Sequence, residues 1–169
     1  MLSHGRVMLV SSFDDRLMYA EYLRHHALIV DEFQDPEEAI RFLSSLPPDV
    51  VVTDAVFDVR AKNGAAFIEQ LRSRLDDSAS IVVVSGYVRQ TDRQMARAAG
   101  ADVYLTKPVL PRDVLYQVRR ALAARTEGRR LRWTDAYIGA AQPGAERRNA
   151  SIARPLAMAS DRPRRRAGD

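Results

Sequence analysis

The chain has 169 residues, 46% of them hydrophobic, and a formal net charge of +4 at pH 7. This length suits one domain with a sizeable core and is short for two domains of ordinary size. The sequence has no cysteine, which excludes disulfides, thiolate zinc sites and cysteine nucleophiles. Residues 1–124 carry 15 basic and 17 acidic side chains, whereas residues 125–169 carry 11 and 5. The excess of positive charge therefore belongs to the C-terminal part alone.

The N-terminal residues give no indication of export. They lack the order of basic and then apolar residues that a signal peptide needs. No apolar run in the sequence approaches the roughly 18 residues that cross a membrane. We therefore expect no membrane span and a cytoplasmic location.

Strand-like and helix-like segments alternate up to about residue 124. Runs of β-branched residues are typical of buried strands, and apolar residues three and four positions apart are typical of helices. The predicted strands cover residues 6–10, 28–33, 50–53, 81–85 and 102–106. The predicted helices cover residues 15–26, 35–46, 64–75, 91–99 and 111–124.

This alternation predicts a flavodoxin-like, doubly wound α/β fold over residues 1–124. Parallel neighbouring strands need crossover connections, and helices of this length supply them. The commonest arrangement of this size is a five-stranded parallel sheet of order 2-1-3-4-5 with helices on both faces. We therefore predict one domain that ends at residue 124.

The composition changes after residue 124. Residues 125–169 are rich in Arg, Ala, Gly and Pro and have no sustained hydrophobic period, so we predict a basic, mostly disordered tail. Trp133 and Tyr137 are the exception, and we expect them to form a docking turn or a short helix. The arginines alone are compatible with a nucleic acid or another anionic partner. A solvated appendage is the simpler interpretation, so we do not expect nucleic-acid binding by the tail.

Three polar residues lie at the C-terminal ends of predicted strands. Asp54 follows the third strand, Ser85 ends the fourth, and Lys107 follows the fifth. Ligands of open α/β sheets bind outside the carboxyl ends of the strands, so these side chains are expected to converge. Lys107 is one of only two lysines among 26 basic residues, which favours a task for a compact ammonium, such as contact with a phosphate. The alternative interpretation is that no site exists, with Asp54 a strand-end acid, Ser85 a turn residue and Lys107 a solvated lysine.

These residues resemble the receiver domain of bacterial two-component response regulators, over residues 5–124. Asp54 matches the aspartate that accepts a phosphoryl group. Ser85 matches the hydroxyl residue after the fourth strand, and Lys107-Pro108 matches the lysine and cis-proline after the fifth. The resemblance implies that the Asp54 carboxylate attacks a phosphoryl group, while Lys107 and Ser85 stabilise the charge on its oxygens.

The resemblance also implies switch residues and partners. Tyr104 falls on the aromatic switch position, and Ser85 is the second switch residue. Such a domain is a phosphorelay signalling module rather than an enzyme. Its donor is a histidine kinase or a phosphotransfer protein, and its output is a contact with a downstream protein.

The chain departs from the family where magnesium binds. Receivers hold Mg²⁺ with a pair of acids directly after the first strand, because a hard divalent cation prefers carboxylate oxygens. Ser11 and Ser12 stand at those positions, and neutral hydroxyls are poor substitutes. The acids Asp14 and Asp15 follow, and capping of the next helix is their simpler role. A shifted alignment would instead bring Asp14 to the metal.

The loop after the acceptor departs as well. Receivers usually have a proline four residues after the acceptor and a glycine eight after it, but here Asp58 and Gly64 stand four and ten residues after Asp54. Asp58 is therefore either a metal ligand or a solvated loop charge. Magnesium dependence stays open, with Asp14, Asp54 and Asp58 as candidate ligands.

Two functions follow from this pattern. The first is an atypical receiver that accepts a phosphoryl group on Asp54. The alternative is a pseudo-receiver that binds another protein without ever being phosphorylated. Magnesium-dependent modification by a small phosphodonor distinguishes them.

Overall fold

The computed structural model describes residues 5–55 and 64–136. The six strands of this part are β1 (Arg6–Val10), β2 (Ile29–Phe33), β3 (Val50–Thr53), β4 (Ser80–Ser85), β5 (Val103–Thr106) and β6 (Thr134–Ala136). The five helices between them are α1 (Asp15–His25), α2 (Pro36–Leu43), α3 (Gly64–Arg74), α4 (Gln90–Ala99) and α5 (Pro111–Thr126).

The strands form one parallel sheet of order β2-β1-β3-β4-β5-β6. The predicted order of the first five strands is confirmed, as is the flavodoxin-like α/β class. The register pairs Val10 with Thr53 and Ser85 with Thr106, so the C-terminal ends of the inner strands lie along one edge. That edge is where the predicted site residues begin their loops.

Helices cover both faces of the sheet. Alternate strand residues such as Val7, Leu9 and Val82 pack against α1 and α5. The residues between them, such as Met8 and Val83, pack against α2, α3 and α4. Because both faces are covered, the inner strands are apolar on both sides, which explains their continuous β-branched runs.

Residues of the local sequence set the start of α2 and the end of α4. The Asp35 carboxylate accepts a hydrogen bond from Glu37 N at 2.9 Å, with Pro36 in the first turn of α2. Gly100 ends α4 with φ of +110°, a conformation that side chains other than glycine rarely adopt. In the parts of the chain that the structure describes, no helix has the length and apolarity needed to span a lipid bilayer.

The segment after α5 differs from the prediction. Helix α5 continues to Thr126, so the predicted boundary at residue 124 falls inside it. Trp133 precedes a strand rather than a turn or short helix, and Thr134 N donates to Asp102 O at 2.9 Å as β6 joins β5. A three-residue strand is too short to show a hydrophobic period, so the pattern could not reveal it. Tyr137 and the predicted disorder of residues 139–169 lie outside the described residues.

Candidate functional site

The structure brings together two of the three residues expected to converge. Asp54 directly follows β3, and Lys107 directly follows β5 on the far side of β4. The Lys107 side chain crosses the edge of the sheet, and its Nζ lies 2.9 Å from Asp54 Oδ2. Lys107 N donates to Ser85 O at 2.8 Å, which ties the end of β5 to the end of β4. The parallel register thus brings the side chains of Asp54 and Lys107 into one site, with the backbone of Ser85 tied to Lys107.

Asp54 is almost fully enclosed, with 3% of its surface exposed. Its backbone N donates to Val10 O at 3.1 Å, and its Oδ1 accepts a hydrogen bond from Ala55 N at 2.8 Å. The carboxylate therefore has a fixed orientation, with one oxygen toward the backbone and the other toward Lys107. An oriented carboxylate next to a cation is suited to attack on an electrophilic phosphorus atom.

Lys107 has a second acidic partner that the sequence interpretation did not assign to the site. Its Nζ lies 2.8 Å from Asp15 Oδ2, and the Phe13 ring centroid is 4.7 Å away. Burial by itself lowers the pKa of Lys107, but hydrogen bonds to Asp15 and Asp54 outweigh it, so the pKa is raised. The ammonium therefore stays charged at physiological pH and supplies a fixed positive charge beside Asp54.

The expected switch residues are linked through one turn. Ser85 is fully buried, and its Oγ accepts a hydrogen bond from Tyr87 N at 3.2 Å. The phenol of Tyr104, also fully buried, donates to Tyr87 O at 2.9 Å. Burial raises the pKa of Tyr104, which keeps the phenol neutral and able to donate. The turn between β4 and α4 is thus held by both side chains at once.

The peptide bond between Lys107 and Pro108 is cis, as the resemblance implies. The chain then passes Val109, whose carbonyl accepts a hydrogen bond from the Tyr19 phenol of α1 at 3.0 Å. Burial, followed by nearby acids, raises the pKa of Tyr19 to about 12. This bond joins the lysine loop to the helix that follows the serine pair.

The start of α1 differs from the expected capping arrangement. Asp14 occupies the N-cap position with helical φ and ψ, but within the described residues its carboxylate makes no capping hydrogen bond. Asp15, the first residue of α1, turns to Lys107 instead. The expectation that both acids cap the helix is therefore wrong, because the partly buried Lys107 ammonium is the stronger partner for Asp15.

Arg16 is a further residue of this region that the sequence interpretation missed. Only 6% of its surface is exposed, and its guanidinium NH1 donates to Ser11 O at 2.7 Å. Its Nε lies 3.3 Å from Glu32 Oε2. An indication was present in the sequence, since Arg16 lies on the same helical face as the apolar residues three, four and seven positions later. An arginine on a buried face requires partners.

These contacts decide whether the residues fit a magnesium ion. Ser11 O already accepts from Arg16, and Ser11 Oγ accepts from Phe13 N at 3.2 Å. The carboxylates of Asp15 and Asp54 share Lys107, although Asp15 Oδ1 is buried and finds no hydrogen-bond partner among the described residues. In that part of the chain, no group of three or more Asp, Glu or His side chains is arranged to hold a metal ion. The described residues therefore fit Mg²⁺ poorly.

Of the loop after Asp54, the structure describes only the two ends, at Ala55 and Gly64. Asp58 lies outside the described residues, so its candidate role as a ligand stays a prediction. The return of the chain is described, because Gly64 begins α3 against the backbone of Ala55. A Cβ at Gly64 would lie 1.4 Å from Ala55 O, so only glycine permits this close approach.

Comparisons with known proteins agree with this arrangement. A family model described as the response regulator receiver domain matches residues 13–119. The chain is 32% identical over 111 residues to the regulatory protein VirG of Agrobacterium tumefaciens, which covers 65% of this chain and 40% of VirG. It is 31% identical over 114 residues to the transcriptional regulatory protein PhoP of Escherichia coli K12, which covers 63% of this chain and 49% of PhoP. The match thus spans half or less of these relatives.

Solved structures show the same fold. A LuxR-family two-component response regulator from Aurantimonas has a TM-score of 0.65 at 27% identity, covering 87% of this chain and 99% of that one. A CheY-like receiver domain protein from Methanospirillum hungatei has a TM-score of 0.67 at 22% identity, covering 75% of this chain and all of that one. With the family model matching more than half of the residues, this chain belongs to the response regulator receiver domain family.

Proposed function

We propose that this chain accepts a phosphoryl group on Asp54 from a histidine kinase or a phosphotransfer protein in the cytoplasm. The observation that carries the proposal is the 2.9 Å contact between Lys107 Nζ and Asp54 Oδ2, in a pocket at the C-terminal edge of the sheet. Membership of the receiver family supports it, since receiver domains are phosphoryl-accepting signalling modules. The output is a contact with a downstream protein.

The chemistry follows from the residues at this edge. An Asp54 oxygen attacks phosphorus, a new O–P bond forms, and the bond from phosphorus to the donor atom breaks with its electron pair leaving on the donor. Negative charge on the three phosphoryl oxygens is then met by the Lys107 ammonium. The Ser85 hydroxyl donates a hydrogen bond to one of these oxygens.

We further propose that the reaction is slow and needs a high magnesium concentration. Phosphoryl transfer usually relies on divalent cations to neutralise charge on the phosphoryl oxygens. The described residues offer Mg²⁺ two carboxylates that Lys107 already engages, next to two serines. A weak metal site of this kind is expected to fill only at high Mg²⁺ concentration.

A pseudo-receiver that binds a protein without phosphorylation is the second candidate. The observation that favours it is the Ser11 and Ser12 pair, with the Ser11 carbonyl bonded to the Arg16 guanidinium. In this alternative, the contact of Lys107 with Asp54 and Asp15 is a permanent structural ion cluster.

One experiment separates the two candidates. The full chain is incubated with acetyl phosphate over a range of Mg²⁺ concentrations and analysed by intact mass, with Asp54→Asn as the matched control. We expect a gain of one phosphoryl group in the wild type and none in the variant. An adduct that persists in Asp54→Asn contradicts the assignment of the acceptor, and the absence of any adduct supports the pseudo-receiver.

A further inference from the structure

The segment after α5 crosses back to the sheet and fills the edge of β5. We call residues 129–136 the C-terminal strap. It follows Gly128, whose φ of +71° reverses the chain direction. Its first half is anchored by Leu131, which is buried in the core and whose N donates to Ser80 Oγ at 3.0 Å. Arg130 Nε adds an ion pair with Asp102 Oδ1 at 3.1 Å.

The second half of the strap pairs with β5 as β6, and its side chains contact α4. Asp135 Oδ2 lies 3.2 Å from Arg93 Nε, and the Trp133 ring lies 5.7 Å from the guanidinium carbon of Arg97. The side chain of Asp135 is 39% exposed, so solvent weakens its ion pair. A three-residue strand at the end of a sheet also has few backbone bonds to lose. Among the described strands, we therefore expect β6 to open most easily, together with Trp133 before it.

Arg93 connects this part to the turn that carries the switch residues. Its NH2 donates to Val88 O at 2.9 Å, while its Nε pairs with Asp135. Val88 lies in the turn between β4 and α4, one residue after Tyr87, whose N and O bond to Ser85 and Tyr104. One guanidinium thus contacts both the turn and the strap. A movement of the turn changes the position from which Arg93 reaches Asp135.

We propose that residues 133–136 form a displaceable strand, docked while the turn holds its present bonds and released when Ser85 engages a phosphoryl group on Asp54. The proposal rests on the proposed function for its trigger. Reorientation of the Ser85 hydroxyl toward the phosphoryl oxygens removes the acceptor of Tyr87 N. The turn then shifts, Arg93 loses Asp135, and β6 leaves β5. Release uncovers the backbone N–H and C=O groups along the outer edge of β5.

Release of β6 can be followed by the fluorescence of a tryptophan in the strap. Trp133 is the single tryptophan of the sequence and lies on the strap itself. Its indole is half-buried against the core on the α4 side of the sheet, so release transfers it to water. We therefore expect undocking to shift the fluorescence emission to longer wavelength and to raise the acrylamide quenching constant.

The experiment uses the full chain with acetyl phosphate and reads Trp133 fluorescence and intact mass in the same sample. Phosphorylated wild type is expected to show the emission shift, and Asp54→Asn is expected to show neither modification nor shift. Arg93→Ala is expected to show the shift without any phosphodonor. Arg119→Ala, which removes an exposed arginine of α5, is the matched control and should leave the emission unchanged.

The outcomes separate this proposal from the proposed function. A wild type that gains a phosphoryl group on Asp54 while Trp133 stays unchanged overturns the coupling and leaves the acceptor assignment intact. If no modification occurs, the variants Ser85→Ala and Tyr104→Phe replace the trigger, because each removes one bond of the turn. Emission shifts in these variants, with unchanged far-UV circular dichroism, support the link from turn to strap. Unshifted emission in both variants and in Arg93→Ala overturns it.

Discussion

Two regions of the same edge of the sheet follow the receiver pattern to different extents. At the ends of β3, β4 and β5 stand the aspartate, serine and lysine that match the family, and Lys107 reaches Asp54. At the end of β1, serines stand where receivers have acids, and Arg16 bonds to the Ser11 carbonyl. The residues proposed to bind phosphate match the family, whereas serines stand where acids are expected for the metal.

This difference shows how the charge of the site is balanced. The strand-end carboxylate Asp54 and the helix carboxylate Asp15 are neutralised in part by a lysine that lies within 3 Å of both. Arg16 adds a second cation close to the serines, with Glu32 as its counterion. The protein therefore supplies side-chain cations in a region where carboxylates would attract Mg²⁺.

The largest effect is expected from Lys107→Met. It removes the cation that meets the phosphoryl charge, and loss of one such group costs about 10²–10³-fold in rate. The measurement is the initial rate of acetyl phosphate modification by intact mass. The double variant Lys107→Met/Asp15→Asn controls for the unpaired carboxylate. It should recover thermal stability without recovering the rate, and recovery of the rate would exclude a direct role for Lys107.

The next effect tests the region after β1, where serines replace the expected acids. Arg16→Met keeps an unbranched apolar stem but removes the guanidinium and its bonds to Ser11 O and Glu32. Glu32 keeps its ion pair with Arg24 at 2.6 Å, so the expected cost is that of lost hydrogen bonds to a charged group, about 1.5–3 kcal/mol. Urea denaturation measures the change. An unchanged free energy of unfolding would mean that Arg16 contributes little to this region.

The smallest effect concerns the hydrogen bond that joins α1 to the loop after Lys107. Tyr19→Phe removes the hydrogen bond to Val109 O and is expected to cost about 1 kcal/mol at neutral pH. The folded-state pKa of Tyr19 is raised from its ordinary value of 10 to about 12, so the unfolded chain releases this proton first. Wild-type stability therefore falls as pH rises through this window. The variant should lose this part of the fall in thermal melts, and an identical pH profile would contradict the shift.

Much of the fold could be predicted from the sequence because its inner strands are buried on both faces. The strands β3 (Val50–Thr53) and, apart from its terminal serines, β4 (Ser80–Ser85) are continuous apolar or β-branched runs. Such runs are typical of buried parallel strands. The strand β6 could not be predicted, because three residues carry no period and are fixed by tertiary contacts such as that of Thr134 N with Asp102 O. Helix α5 ends at Thr126 rather than at residue 124, because the two polar residues that extend it carry no apolar period.

The candidate site could be predicted only for residues whose place at a strand end determines what they contact. Asp54 and Lys107 both follow parallel strands, so the sheet itself brings them together. Asp15 lies at the start of a helix, where the direction of one side chain depends on the neighbouring cation rather than on sequence spacing. Arg16 had an indication in its helical face, but its partner Glu32 lies 16 residues away on β2.

We propose that Asp54, Ser85 and Lys107 suffice to hold a phosphoryl group, whereas Ser11 and Ser12 leave the metal site weak. The most direct test is the Mg²⁺ dependence of acetyl phosphate modification in the wild type and in Ser11→Asp/Ser12→Asp. The double variant places two further carboxylates near Asp54, so half-maximal modification should occur at a Mg²⁺ concentration at least about tenfold lower than in the wild type. Equal Mg²⁺ dependence in the two proteins, or wild-type dependence that is lost in Asp14→Asn, would contradict the account.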